Sequence, residues 1–198
     1  MKQFDLKEDI ILEDERVLLS PLQEVHIKAL LPIAEKYPDL LRYSPSKFGL
    51  EEHLVNYVNT AIEGRRQGLR YPFVIFDKQN KIYAGSTSFG NIVNSHRRLE
   101  IGWTWISEDL QRTGLNRHNK FLMLSYAFDE IEFNRVEFRI DSRNAKSRSA
   151  VEAIGGQFEG ELRQHTLMPD GFKRNTVYYS ILQQEWSTIR TEKFMRQA

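Results

Sequence analysis

The chain of 198 residues reads as an α+β protein on a mixed, mostly antiparallel twisted sheet of about seven strands. Three observations predict this. Strand-like runs come in adjacent pairs with turn residues between them, at 71–77 and 81–89 and again at 158–167 and 172–182, the pattern of β-hairpins. One segment has the order strand, helix, strand (99–107, a stretch from Leu115, then 135–141), which requires a crossover and a parallel pair. Strand and helix do not alternate throughout, so a doubly wound nucleotide-binding sheet is excluded.

In chain order, "ERVLLS" at 15–20 reads as a strand and Pro21 as the start of a helix, because proline fits a first helical turn. Leu22, Val25, Ile27, Leu30, Leu31 and Ile33 would form its apolar side. The segment Tyr37–Lys47 carries two prolines and reads as loop. Leu50–Gln67 is helical, with Leu54, Tyr57, Val58, Ala61 and Ile62 recurring at three and four. "YPFVIFD" and "KIYAGSTSF" follow as a hairpin about Lys78-Gln79-Asn80. In "LEIGWTWIS" strict alternation would put Leu99, Ile101, Trp103 and Trp105 on one buried face and Glu100, Gly102, Thr104 and Ile106 on the other. From Leu115 the residues Phe121, Leu124, Phe128 and Ile131 form a helical stripe. "RVEFRID" alternates again. Ala145–Ile154 is a short helix closed by Gly155-Gly156, and the turn Met168-Pro169-Asp170-Gly171 joins a final hairpin.

The composition is that of one domain, residues 1–198. It is 40% hydrophobic and 12% aromatic, with 28 basic against 27 acidic residues and a formal charge of +1. So balanced a chain builds no large field toward nucleic acid or an anionic membrane, and neither is expected as a partner. The absence of cysteine removes disulfides, thiolate nucleophiles and cysteine zinc sites. Five scattered histidines, His26, His53, His96, His118 and His165, show no metal-ligand spacing, so no metal is expected. The N-terminal "MKQFDLKEDI" lacks the apolar core of a signal peptide, and no apolar run has membrane-spanning length. A cytoplasmic protein is the expectation. The basic groups Arg65, Arg66 and Arg70, and His96-Arg97-Arg98, read as solvated faces, with contact to an acidic partner or a phosphate as the minority alternative.

The strand–turn–helix at 103–128 carries the strongest chemical signal. A helix start ordinarily favours acidic side chains. Here the first turn is Gln111-Arg112-Thr113-Gly114-Leu115-Asn116-Arg117, basic and with a glycine that permits unusual backbone geometry. Such a turn suits an external anion such as a phosphate, although an ordinary glycine turn has the same spacing. Neither the P-loop ending nor G-x-G-x-x-G is present.

Gln111 to Asn116 resembles the Q/R-x-x-G-x-G/A signature of the GNAT superfamily, the acetyl-CoA-dependent N-acyltransferases. "ERVLLSPL", "LEIGWTWI", "YAFDEIEFNRVEFRIDSRNAKS", "GGQFEGELR", "GFKRNTVYYSIL" and "EW" are similar, in order, to its branch of ribosomal-protein N-terminal acetyltransferases (RimJ/RimL-like). The resemblance implies the GNAT fold, with helices on both faces of the sheet, and acetyl-CoA as cosubstrate. The acceptor would be an amine, on a polypeptide N-terminus or a small molecule, and the chain could pair as a homodimer. It implies Glu100 as general base. It further implies that the donor's pantetheine lies along the strand near Thr104 and Ile106, that its pyrophosphate meets the N–H groups of the 111–117 turn (Gln111, Arg112, Thr113, Gly114, Leu115, Asn116 and Arg117), and that Asn144 and Ser147 stand near the leaving thiol. From the residues alone, Glu100 reads as a solvated strand carboxylate, and Asn144 reads equally as a helix N-cap.

Three positions depart from the family pattern. Asn116 stands where glycine or alanine is common. Val151 stands where many members carry a tyrosine as general acid, and Gly156 stands where many have phenylalanine. The alternative to an enzyme is therefore a CoA-binding regulatory module without turnover.

Overall fold

A computed structural model describes residues 2–195. Eight strands form one sheet: β1 (Leu12–Glu13), β2 (Val17–Pro21), β3 (Arg70–Asp77), β4 (Ile82–Val93), β5 (Arg98–Ile106), β6 (Arg135–Asp141), β7 (Gln157–Leu167) and β8 (Lys173–Leu182). They lie in the order β1-β2-β3-β4-β5-β6-β8-β7. Every neighbouring pair is antiparallel except β5 and β6. The strand absent from the sequence reading is β1, whose two residues carry too little pattern to register.

Helices α1 (Ile27–Lys36) and α2 (Glu51–Arg66) cover one face. Leu30, Leu54, Val58 and Ala61 pack there with Val74 and Trp105 of the sheet. Helices α3 (Leu115–Ser125), α4 (Ala145–Ala153) and α5 (Gln183–Ile189) cover the other face, through Leu115, Met123, Leu124, Val151, Trp186 and Ile189. The closing helix α5 was not expected. Its signal is a Leu182 N-cap whose N–H is taken by the Glu185 carboxylate at 2.8 Å.

Pro21 ends β2 instead of opening a helix; it pairs with Phe73 in register, and helical backbone begins only at Glu24. Val25, assigned to an apolar side, is 73% exposed. The loop at 37–47 holds one short 3-10 turn, Pro38–Leu41.

The largest departure lies in β5. Strict alternation fails because β4 and β5 slip register between Ser86 and Ser88. Ser86 pairs with Trp105 and Ser88 with Gly102, so Trp103 and Thr104 together oppose Thr87. This is a β-bulge, and Trp103 takes the left-handed conformation it needs, φ 51°. Leu99 and Ile101 face α3; beyond the bulge the faces exchange. Trp105 packs under α1 and α2, and Thr104 turns toward α3, where its hydroxyl meets Lys120. Trp103 leaves the core and is 37% exposed.

Candidate active site

Two parallel strands diverge at the centre of the sheet. β5 and β6 pair only at Arg98–Arg135, Leu99–Val136 and Glu100–Glu137, although β5 continues to Ile106 and β6 to Asp141. Past Glu100 the β6-facing edge of β5 therefore has no strand partner among the described residues. An extended ligand with amide groups can occupy such an edge as a further strand.

The helices that follow these strands begin side by side at the opening. Lys146, in the first turn of α4, hydrogen-bonds the Gln111 side chain just ahead of α3, and Gln111 Nε2 donates to the Ile106 carbonyl at 2.9 Å. Two helix N-termini, each with unpaired N–H groups and the positive end of a dipole, thus meet at the carboxyl ends of parallel strands.

The turn before α3 is shaped for approach from outside. Arg112 (φ 64°) and Gly114 (φ 88°) are both left-handed. Helical N–H bonding resumes at Arg117, 2.9 Å from the Gly114 carbonyl. Among the described residues, no N–H from Arg112 to Asn116 donates to a backbone carbonyl. A Cβ added at Gly114 would meet nothing within 4 Å, so the ground above the turn is open. Leu115 is fully buried and anchors the helix start. Thr113 is committed to the Leu110 carbonyl at 2.8 Å and Asn116 to Asn119. Arg117 points away: its guanidinium binds the Lys193 carbonyl and closes the C-terminal segment over α3.

Glu100 lies where the strands part. In cross-strand register it stands beside Gly90 of β4 and Glu137 of β6, on the face that α2 covers, and only 5% of it is exposed. It shares that side with Trp105, not the opposite one, because of the bulge. Burial pushes its carboxyl above the ordinary glutamate range. The Arg139 guanidinium and the Asn91 amide pull it back without cancelling the rise. Asn91 Nδ2 donates to Glu100 Oε2 at 2.6 Å. Arg139 Nε lies 3.1 Å from the same oxygen but is not aimed along a hydrogen bond, so that contact is one of charge alone. A carboxylate that is buried, held and raised above its ordinary range takes up a proton more readily than a free one, as a general base requires.

Asn144 caps α4, its Oδ1 accepting from the Ser147 N–H at 3.1 Å. The N-cap reading is therefore the observed one, with the Asn144 amide NH2 left over for a ligand. Ser147 is partly exposed in the same turn, with no hydrogen bond to its hydroxyl among the described residues. Val151 is a core residue, 6% exposed. A Cβ built on Gly156 would fall 2.4 Å from Val151 Cγ1, so the two departures from the family pattern are one packing contact. Position 151 supplies no proton donor.

Two features escaped the sequence. Lys120 sits inside the fold at 6% exposure. Its Nζ is 2.7 Å from Thr104 Oγ1, which is 2.7 Å from Thr87 Oγ1, and burial lowers its pKa to about 7. Asp14, Glu15 and His118 also meet, with candidate ligand atoms within 4.8 Å of one another. His118 Nδ1 lies 2.7 Å from Asp14 Oδ2, while Asp14 Oδ1 takes the N–H groups of Arg16 and Val17. The Asp14 carboxyl, raised by burial, is held below the ordinary range by the His118 bond and these two N–H groups. The trio reads as a clasp between α3 and the β1–β2 turn.

Residues 16–157 match the family model described as an acetyltransferase (GNAT) domain. The chain belongs to the GNAT acetyltransferase family. Membership makes it an acyltransferase. It is 36% identical over 102 residues to a Bacillus subtilis (strain 168) protein with the provisional name ribosomal N-acetyltransferase YdaF. That match covers 52% of this chain and 55% of the relative, so the chain spans about half the length of that curated relative. Among solved structures it superposes on a GCN5-related N-acetyltransferase from Brucella melitensis with TM-score 0.87 and 24% identity, over 96% of this chain and 86% of that one. It also superposes on Mycobacterium smegmatis RimJ in complex with CoA-disulfide, with TM-score 0.73 and 20% identity, over 89% and 88% of the two chains. At these identities the two structures bear on the fold alone. No helix among the described residues is long and apolar enough to cross a membrane.

Proposed function

We propose that the protein transfers an acetyl group from acetyl-CoA to a primary amine, on a polypeptide N-terminus or a small molecule, with Glu100 as general base. The observation that carries the proposal is the position of Glu100: a buried, raised carboxylate at the point where β5 leaves β6 and its edge becomes free.

The donor supplies an activated acyl group as a thioester; the remaining tasks fall to the chain. The open edge of β5, around Thr104 and Ile106, offers backbone groups to an amide-bearing arm. The N–H groups from Arg112 to Asn116 and the α3 dipole suit a pyrophosphate. A backbone N–H at the bulge suits the oxyanion that forms as the carbonyl is attacked. An amine of lysine type is protonated at pH 7; Glu100 takes one proton to free the lone pair before the C–N bond forms, and the second N–H proton passes to water as the tetrahedral intermediate collapses. The C–S bond then breaks, and the thiolate collects a proton from water or from a water held by Ser147. The name given to the Bacillus relative supports this choice of acyl group and acceptor class; M. smegmatis RimJ, a protein of the same fold, holds CoA-disulfide.

Calorimetric titration of acetyl-CoA into the protein and into Gly114→Asp tests the donor site. The substitution puts a negative charge where nothing else stands within 4 Å, and affinity should fall at least tenfold, or about 1.4 kcal/mol. Equal affinity in a folded variant would remove the α3 turn from the binding site.

A further inference from the structure

Arg70, expected to lie on a solvated face, is 8% exposed. Arginines less buried than it still face a carboxylate: Arg16 faces Asp77, Arg139 faces Glu100 and Arg174 faces Asp141. Among the described residues Arg70 faces none. Its Nε donates to Ser88 Oγ at 2.8 Å and its Nη2 to the Tyr57 hydroxyl at 2.9 Å, both neutral partners. The guanidinium lies 5.2 Å from the Tyr57 ring and 5.0 Å from the Trp103 ring. A cation so withdrawn from water is costly without a counter-charge.

Arg70 lines a cavity of about 360 Å³ with Lys47, His53, Asn56, Tyr57 and Thr60. No acidic side chain lines it. The cavity is also placed with respect to the chemistry. Arg70 pairs with Gly90, and Gly90 with Glu100, so Arg70 and the proposed base stand on one face, roughly 10 Å or two strand spacings apart. The gap between them is floored by Trp103: a Cβ at Gly90 would fall 2.3 Å from its ring, and the bulge is what turns that ring here.

We infer that Arg70 is the specificity-determining group of the acceptor pocket, binding a carboxylate that the acceptor carries about two strand spacings from its reacting amine. An acidic side chain near a polypeptide N-terminus has this chemistry, and so does a small amine with a distal carboxylate. The inference rests on the acyltransfer reading above.

The test compares matched acceptors with acetyl-CoA: N-terminal peptides differing only by Asp against Asn at the second or third residue, and ω-amino acids against their amides. The expected result is a kcat/KM at least tenfold higher for the acidic member of one pair. The ratio should fall to near one in Arg70→Gln and lie between in Arg70→Lys, which keeps the charge without the fork. The peptide and small-molecule arms identify the source of the carboxylate. The same compounds are titrated without donor against tryptophan fluorescence, to which Trp103 contributes beside Arg70. Discrimination in binding without turnover of any amine would sink the acyltransfer reading and keep the anion site. Turnover of acidic and neutral members at equal kcat/KM, or a preference that survives in Arg70→Gln, would overturn the inference. Should Arg70→Gln fail to fold, Arg70→Lys decides: an unchanged ratio there overturns it.

Discussion

Lys120→Met separates the cost of a buried amine from its packing. In the folded chain the Lys120 Nζ is enclosed by α3 and β5 and touches only hydroxyl oxygen, that of Thr104 at 2.7 Å. Burial alone accounts for its fall to about 7, against about 10.4 for a lysine in an unfolded chain. Between those values the unfolded chain binds more protons than the folded one, so stability rises with pH across the window. The limiting slope is about 1.4 kcal/mol per pH unit. The midpoint at the lower end trims this, leaving about 2 kcal/mol of added stability between pH 7 and 9. Methionine matches the length of the aliphatic stem and does not titrate. Losing the bond to Thr104 costs about 1 kcal/mol, but equally at both pH values, so it cancels from the comparison. Urea unfolding of both proteins at pH 7 and 9 measures the difference. The wild-type gain over Lys120→Met should be about 2 kcal/mol. Parallel stability curves would mean that Lys120 titrates as an ordinary exposed lysine, and the enclosure described for it would be wrong.

Three further outcomes follow from the site. Glu100→Gln keeps the shape and the Asn91 contact but removes the base: turnover at neutral pH should fall about a hundredfold with donor affinity unchanged, and recover in part at high pH where free amine is abundant. A flat rate ratio across pH would leave Glu100 a structural carboxylate. Ser147→Ala should cost less, about tenfold or below, since a thiolate with a pKa of about 8.5 leaves tolerably without a dedicated acid; loss of turnover in a variant that still binds donor would make Ser147 the acid itself. Gly156→Ala should destabilise by about 1–3 kcal/mol, because the new methyl lands 2.4 Å from Val151 Cγ1 and 3.0 Å from the Val151 carbonyl. Thermal melting checks this, and Gly156→Ala combined with Val151→Ala should recover part of the loss.

The local patterns in the sequence were sufficient for the hairpins β3–β4 and β7–β8, the β5–α3–β6 crossover and the glycine turn at 111–117, since each depends on residues a few positions apart. The place of Glu100 on a strand just ahead of that turn was legible for the same reason, while the role proposed for it came only from the family resemblance. Which face it occupies was not legible. Alternation along "LEIGWTWI" assigned Trp103 to the core and Thr104 to the face opposite Leu99 and Ile101. Both assignments failed at one extra residue in the β4–β5 ladder. A bulge belongs to the pairing of two strands, not to the composition of either, so no reading of β5 by itself could place it. Its consequences are the features that only the tertiary structure decided: Thr104 turned inward to meet Lys120, and Trp103 turned out over Gly90 toward Arg70. Arg70 and Lys120 look like any basic residue on a strand end or a helix. Their chemistry arises from what surrounds them, residues such as Tyr57, Ser88, Thr87 and Thr104 that neighbour them in space and lie 13 to 33 positions away in sequence. Desolvation is a property of that enclosure, and the order of residues along the chain does not contain it.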